Sequence, residues 1–265
     1  MKTKMNGKIT EMVQLSADIY SMWVEAAPIA AEAKAGQFVA LYCEDKSRML
    51  PRPISICEID KEKGALRLVF RVVGAGTEEY SKLVAGDGIE LMGPLGNGFM
   101  PDGDENHPAK EQAILIGGGI GVPPMLELAK VLNAKYGKKP AVVLGYRNAD
   151  TFLVDDFAPY ADVYLATEDG SLGTKGNVID AIKAEGLQAE ILYACGPTPM
   201  LRGLKNYAEK QGILAQISME EKMACGIGAC LACVCKSKEV DHHTHVNNKR
   251  ICKDGPVFYA EEVEL

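Results

Sequence analysis

Five of the eight cysteines in this 265-residue chain fall in its last forty-one residues: Cys225, Cys230, Cys233, Cys235 and Cys252. The first three follow a C-x4-C-x2-C pattern, and Cys252 comes after eighteen further residues. This is the plant-type [2Fe–2S] spacing. Four thiolates must converge on two irons, and Gly226 and Gly228 allow the backbone to wrap closely and aim N–H groups at sulfur. Ile227, Ala229, Leu231 and Ala232 supply an apolar shell. Cys235, two residues past Cys233, is read as a packing residue, because a C-x-C pair strains to reach separate corners of a compact cluster. A structural zinc sharing some of these thiols with His242, His243 or His245 is the competing reading. Zinc ribbons usually pair two short C-x2-4-C knuckles, and only one such half exists here. The histidines read instead as a solvated loop.

Composition narrows the class. Hydrophobic residues at 47% and charged residues at 25% fit a globular chain. The longest apolar run, residues 113–126, is broken by glycines and prolines and falls short of the roughly 18 unbroken residues of a spanning helix. No signal peptide is read at the N-terminus, so the expectation is a cytoplasmic protein with reduced thiols. Twenty-nine basic against 36 acidic residues give a net charge of −7. That balance, with no Lys/Arg cluster, argues against a nucleic-acid partner, and no membrane partner is expected either.

The hydrophobic rhythm divides the chain in three. Residues 7–15, 19–25, 37–43, 54–59, 65–73 and 88–92 read as short strands, with a helix over 77–84 capped by Thr77. Six such strands within about a hundred residues suggest a small closed antiparallel barrel. Residues 99–112 are polar and rich in Pro, Gly and Asp, and read as a linker. Apolar runs at 113–116, 141–144, 162–166, 191–194 and 214–217 then alternate with helical segments, of which 125–136 and 200–211 are the clearest. Such alternation indicates a parallel sheet covered on both faces. The expected architecture is therefore a β-barrel domain (1–100), an α/β nucleotide-binding domain (101–217) and a small cluster domain (218–265).

Two turns follow strands of the α/β part. Residues 113–116 run into Gly117, Gly118, Gly119, Ile120 and Gly121, then Val122-Pro123-Pro124-Met125, the layout of a strand, a glycine turn and a helix that lets a phosphate reach backbone N–H groups. The second turn, Cys195-Gly196-Pro197-Thr198-Pro199-Met200, also sits at the carboxyl end of a strand, where open α/β sheets bind ligands. No acidic residue closes the second strand to grip the ribose hydroxyls; Gly145-Tyr146-Arg147 stands there, and Arg147 can meet a 2′-phosphate, so NAD over NADP is a preference only. In the barrel, Arg52-Pro53-Ile54-Ser55 enters a strand, where an arginine can neutralise a pyrophosphate and a serine can bond a flavin edge. Gly74-Ala75-Gly76-Thr77 offers a second phosphate cradle.

The order R-P-x-S, G-x-G-T, strand–GGGIG–VPPM, C-G-P-x-x-M resembles the ferredoxin–NADP reductase superfamily. The stretch from Ser218 through Cys235, closing on Cys252-Lys-Asp-Gly-Pro-Val-Phe, narrows the resemblance to the electron-transfer subunits of bacterial NAD-dependent dihydroorotate dehydrogenases, over essentially the whole chain. The resemblance implies FAD contacts at Arg52, Pro53, Ile54 and Ser55, at Val69, Phe70 and Arg71, and at Gly76 and Thr77. It implies NAD at the two turns and cluster ligands at Cys225, Cys230, Cys233 and Cys252. It also implies an FMN-containing catalytic subunit as partner, in a heterotetramer of two copies of each, with dihydroorotate oxidised on that partner during pyrimidine synthesis. A flavin belongs in such a chain because nicotinamide moves two electrons together and an iron–sulfur cluster moves one. Related flavin/iron–sulfur subunits of sulfide dehydrogenase or NADH-dependent ferredoxin:NADP reductase type share most of these motifs.

Overall fold

The computed structural model describes residues 2–240 and 245–265, so His242 and His243 lie outside the described residues. The first unit is a closed barrel of β1 (Thr3–Ser16), β2 (Ile19–Glu25), β3 (Phe38–Tyr42), β4 (Arg52–Asp60), β5 (Ala65–Arg71) and β6 (Gly88–Leu95). The strand order is β1-β2-β5-β4-β3-β6, and every neighbouring pair is antiparallel. Closure removes the exposed edges that an open six-stranded sheet would carry. The period-2 pattern of β5 explains its two faces. Leu66, Leu68 and Phe70 point into the barrel core beside Met22, Leu41 and Leu91. Val69, on the opposite face, is buried against the second unit. Helix α1 (Ala27–Glu32) and helix α2 (Ala75–Tyr80) cover the barrel.

Thr77 does not cap α2. The helix begins two residues earlier, Gly74 is its N-cap, and Thr77 stands at the third helical position. From there its Oγ accepts from the amides of Val73 (3.0 Å) and Gly74 (3.3 Å). The hydroxyl still satisfies orphan donors of the first turn, but from inside the helix, reaching backward.

The stretch expected as a linker starts inside the core. Phe99 is 5% exposed and meets Tyr193 edge-on at 5.7 Å. Met100 exchanges two hydrogen bonds with the Gln216 side chain, at 2.9 and 3.2 Å. Tertiary partners distant in sequence hold what local composition marks as free.

The second unit comprises β7 (Ala113–Gly118), α3 (Pro123–Tyr136), β8 (Ala141–Tyr146), α4 (Val154–Phe157), β9 (Asp162–Thr167), β10 (Thr174–Lys175), α5 (Val178–Ala184), β11 (Ile191–Cys195), α6 (Thr198–Gln211) and β12 (Leu214–Ser218). These strands form a parallel sheet in the order β10-β9-β8-β7-β11-β12. One face carries Leu115, Leu144 and Tyr193 against Met125 and Leu128 of α3. The other carries Ile116, Val143 and Ala194 against Ile182 of α5 and Leu204 of α6. Strands buried on both faces explain why their sequences are unbroken apolar runs.

The C-terminal segment adds a small hairpin of β13 (Val234–Lys236) and β14 (Asn248–Arg250). It then returns as β15 (Val257–Tyr259), which pairs antiparallel with β12 through Gln216–Tyr259, Ile217–Phe258 and Ser218–Val257. The sheet is therefore seven-stranded and mixed at one edge, and the segment holding the cysteines is anchored on both sides by the same strand.

Candidate functional site

The four spaced cysteines come together as two pairs. Cys225 and Cys230 place their sulfurs 3.3 Å apart, and the Cys252 amide lies 3.4 Å from the Cys233 sulfur. Backbone donors surround them. Ile227 and Cys230 N–H groups point at Cys225 Sγ at 3.5 and 3.4 Å, and Gly228 N–H points at Cys252 Sγ at 3.1 Å. Both glycines of the loop sit at positive φ, +67° for Gly226 and +84° for Gly228, a conformation other residues rarely adopt. Burial works against the Cys225 thiolate, but the amides of Cys230, Ile227 and Ala229 and the Cys230 thiol outweigh it and bring this thiol down to about 6. Burial, reinforced by the neighbouring Cys233 thiol, pushes Cys252 up to about 12.

Among the described residues, no three His, Cys, Asp or Glu side chains converge on one point as a single ion would require. Two thiol pairs wrapped in N–H donors are the kind of donor set that a two-iron centre uses, two thiolates to each iron. Cys235 stands apart. It faces Lys249 across the β13–β14 hairpin and lines a cavity of about 380 Å³ with Thr198, Met219 and Glu220. Burial raises its thiol to about 11. His245, the described histidine of the loop before Cys252, is exposed.

In the barrel, β4 and the start of α2 are brought side by side. A Cβ on Gly76 would lie 2.2 Å from Arg52 Nε, so the glycine is what admits the guanidinium. Arg52 Nη1 also reaches the carbonyls of Leu50 and Arg48, at 2.5 and 3.4 Å. Pro53, Ile54 and Ser55 follow along β4 opposite Ala40, Val39 and Phe38. Val69 and Phe70 are buried in β5, while Arg71 pairs with Asp18 at 3.2 Å. That ion pair runs through Arg71 Nε, which is buried and makes no hydrogen bond beyond it.

The two turns of the α/β unit meet. Cys195 lies opposite Gly117 in the β11–β7 register. A Cβ on Gly121 would stand 2.3 Å from the Cys195 carbonyl oxygen, and one on Gly118 or Gly196 would strike the Met200 side chain at 2.5 Å. Gly119, at φ +53°, has open space on its side-chain face. Gly117, Gly118, Gly121 and Gly196 thus serve close packing, and the backbone at Gly119 is left open to a ligand. Pro197 caps α6 and Val122 caps α3. The Cys195 thiol, 2% exposed, is pushed up to about 12 by burial and by Glu220, and holds its proton.

A feature with no signal in any local sequence pattern joins the two units. Arg67 of β5 pairs with Glu58 of β4 at 2.6 Å and with Asp156 of α4 at 2.5 Å. Lys130 of α3 reaches Glu58 at 3.4 Å, and Glu127 accepts the Ile59 amide at 2.9 Å. The junction between barrel and sheet is therefore fixed by charged groups from four elements.

A flavin-reductase frame of barrel plus α/β unit, joined to an iron–sulfur segment, defines an electron-transfer oxidoreductase of the ferredoxin–NADP reductase fold. A solved ferredoxin–NADP+ reductase from Neisseria gonorrhoeae shares that fold with a TM-score of 0.65 at 16% identity, covering 79% of this chain and 92% of that one. A solved NADH-dependent reduced ferredoxin–NADP oxidoreductase matches at TM-score 0.83 and 30% identity, over 97% of this chain and 89% of that chain. Residues 220–264 match the model of the iron–sulfur cluster binding domain of dihydroorotate dehydrogenase B. The dihydroorotate dehydrogenase B (NAD(+)) electron transfer subunit of Fusobacterium nucleatum is 44% identical over 266 residues, 97% of each chain. That of Bacillus cereus is 42% identical over 268 residues, all of both chains. The chain belongs to the electron transfer subunits of dihydroorotate dehydrogenase B (NAD(+)), and the sulfide dehydrogenase and ferredoxin:NADP reductase alternatives are not favoured. Among the described residues no helix is long and apolar enough to cross a membrane.

Proposed function

We propose that this subunit carries electrons between NAD(H) and an FMN-containing catalytic subunit, with which it assembles two-plus-two. Dihydroorotate is oxidised on that partner, so no general base for it belongs to this chain. The observation that carries the reading is the pair of thiol pairs, clothed in backbone N–H groups and anchored to β12 on both sides.

FAD, a [2Fe–2S] cluster and NAD are the cofactors. FAD supplies the junction between two-electron hydride chemistry and one-electron transfer. Arg52 offers its guanidinium to the pyrophosphate beside Gly76 and Thr77, and β4 from Pro53 to Ser55 with β5 from Val69 to Arg71 frames the ring. Cys225, Cys230, Cys233 and Cys252 hold the cluster. The open backbone at Gly119 and the turn Cys195-Gly196-Pro197 receive the dinucleotide, and the protonated Cys195 adds bulk without charge. The ionic clasp around Arg67 keeps the barrel and α/β unit in fixed register.

The test separates the two subunits. The holo-chain alone should oxidise NADH with an artificial acceptor and leave dihydroorotate untouched; with its catalytic partner it should couple dihydroorotate oxidation to NAD+ reduction. Turnover of dihydroorotate by this chain alone would refute the division of labour.

A further inference from the structure

The barrel grips the turn that carries Cys252. Just beyond β6, the exposed Asn97 donates through Nδ2 to the carbonyls of Lys253 (3.1 Å) and Asp254 (3.0 Å), and its own amide donates to Gly255 at 2.6 Å. The contact is close enough to require Gly96. At φ +71°, a Cβ there would stand 2.5 Å from Pro256 Cδ and 2.7 Å from the Gly255 oxygen. One residue earlier, Leu95 lies under Gly226 of the other cysteine loop, 3.6 Å from where a Cβ would be.

From this turn the connection reaches the Cys225–Cys230 loop. Asp254 accepts from the Arg250 amide at 2.8 Å and from Arg250 Nε at 3.1 Å. Arg250, 5% exposed, extends Nη1 to the Gly228 carbonyl at 3.3 Å. Gly228 in turn donates its amide to Cys252 Sγ. A charged side chain this buried needs fixed partners, and Arg250, held by Asp254 and reaching the Gly228 carbonyl, ties the two cysteine segments into one body. Asn97 is where that body is pinned to the barrel by side-chain hydrogen bonds.

We infer that Asn97 is a positioning residue, which fixes the four-cysteine segment on the rim of the barrel and thereby sets the placement of the iron–sulfur centre relative to the flavin. The inference rests on the electron-transfer reading above. Being exposed, Asn97 can be replaced without leaving a cavity, and the carbonyls it releases can turn to water.

The experiment compares wild type, Asn97→Ala and Asn97→Asp as full, cofactor-loaded chains. Asn97→Asp keeps the shape and removes the donor. Iron and acid-labile sulfide are assayed first, then hydrogen–deuterium exchange over residues 250–256, then NADH-driven cluster reduction as a ratio to NADH–dye turnover. Both variants should retain their iron and exchange faster in that segment. The ratio should fall in both variants, because electron transfer slows steeply as donor and acceptor separate. Wild-type exchange and an unchanged ratio in iron-replete variants would overturn the inference, as would an aspartate variant that behaves like wild type. A wild-type chain that itself holds no iron or sulfide would defeat the electron-transfer reading instead, which keeps the two failures distinct.

Discussion

The amide of Gly228 lies 3.1 Å from the sulfur of Cys252, twenty-four residues away, and joins the cysteine-rich loop to the last cysteine of the pattern. The contact supports the proposed ligand set, in which Cys252, and not Cys235, is the fourth thiolate. Cys252→Ser should lower bound iron severely, and Cys230→Ser should do the same, with loss of transfer to the partner in both. Cys235→Ser should keep the iron. Iron and sulfide analysis of the three variants checks this, and an iron-free Cys235→Ser protein would reverse the assignment.

Arg52 and Gly76 form a single feature, since the guanidinium occupies the space of the missing Cβ. Charge-assisted hydrogen bonds contribute about 1.5–3 kcal/mol each. Arg52→Ala should therefore weaken FAD binding roughly 10- to 100-fold, measured by flavin fluorescence on reconstitution. Gly76→Ala should act in the same direction by displacing Arg52.

The two turns of the α/β unit depend on Gly121. A Cβ there would meet the Cys195 carbonyl at 2.3 Å and the Gly196 nitrogen at 2.6 Å, both backbone atoms that cannot swing aside. Gly121→Ala should cost about 1–3 kcal/mol, the usual range for overpacking, and raise the KM for NADH. Thermal unfolding and steady-state kinetics report the two effects.

Cys195 gives the protein an alkaline sensitivity. Folded, its thiol keeps the proton to about 12, against an ordinary value of 9.0, because burial and Glu220 oppose the thiolate. Above pH 9 the unfolded chain releases this proton and the folded chain does not. Stability therefore falls as pH rises from about 9 toward 12, by at most roughly 1.4 kcal/mol per pH unit. Denaturant unfolding at several pH values should show a shallower alkaline loss in Cys195→Ala; equal slopes would remove Cys195 as the cause.

Much of this was legible in residues that act locally. The strand over 19–25 falls where its β-branched and apolar content places it, and the runs at 113–116, 141–144 and 191–194 sit within the observed strands. The cysteine spacing carries its own geometry, because four ligands on a small cluster leave few possible loops. What escaped depends on partners remote in sequence. β15 is three residues long and becomes a strand only because β12 offers an edge. The Glu58–Arg67–Asp156–Lys130 clasp draws charges from β4, β5, α4 and α3, each ordinary on its own segment. Helix α5 did leave a signal: Asn177 and Asp180 form a reciprocal cap at its start. Thr77 shows the opposite case, a residue of the right type two positions inside the helix it was expected to begin.

The account rests on a one-electron centre in electronic contact with bound FAD and NADH. Anaerobic titration of the purified holo-chain with NADH, followed by visible absorbance and electron paramagnetic resonance, tests this most directly. The expected result is flavin bleaching accompanied by the paramagnetic signal of a reduced [2Fe–2S] cluster, with two irons and two sulfides per chain. Flavin bleaching with no such signal, in folded protein lacking iron and acid-labile sulfide, would contradict it.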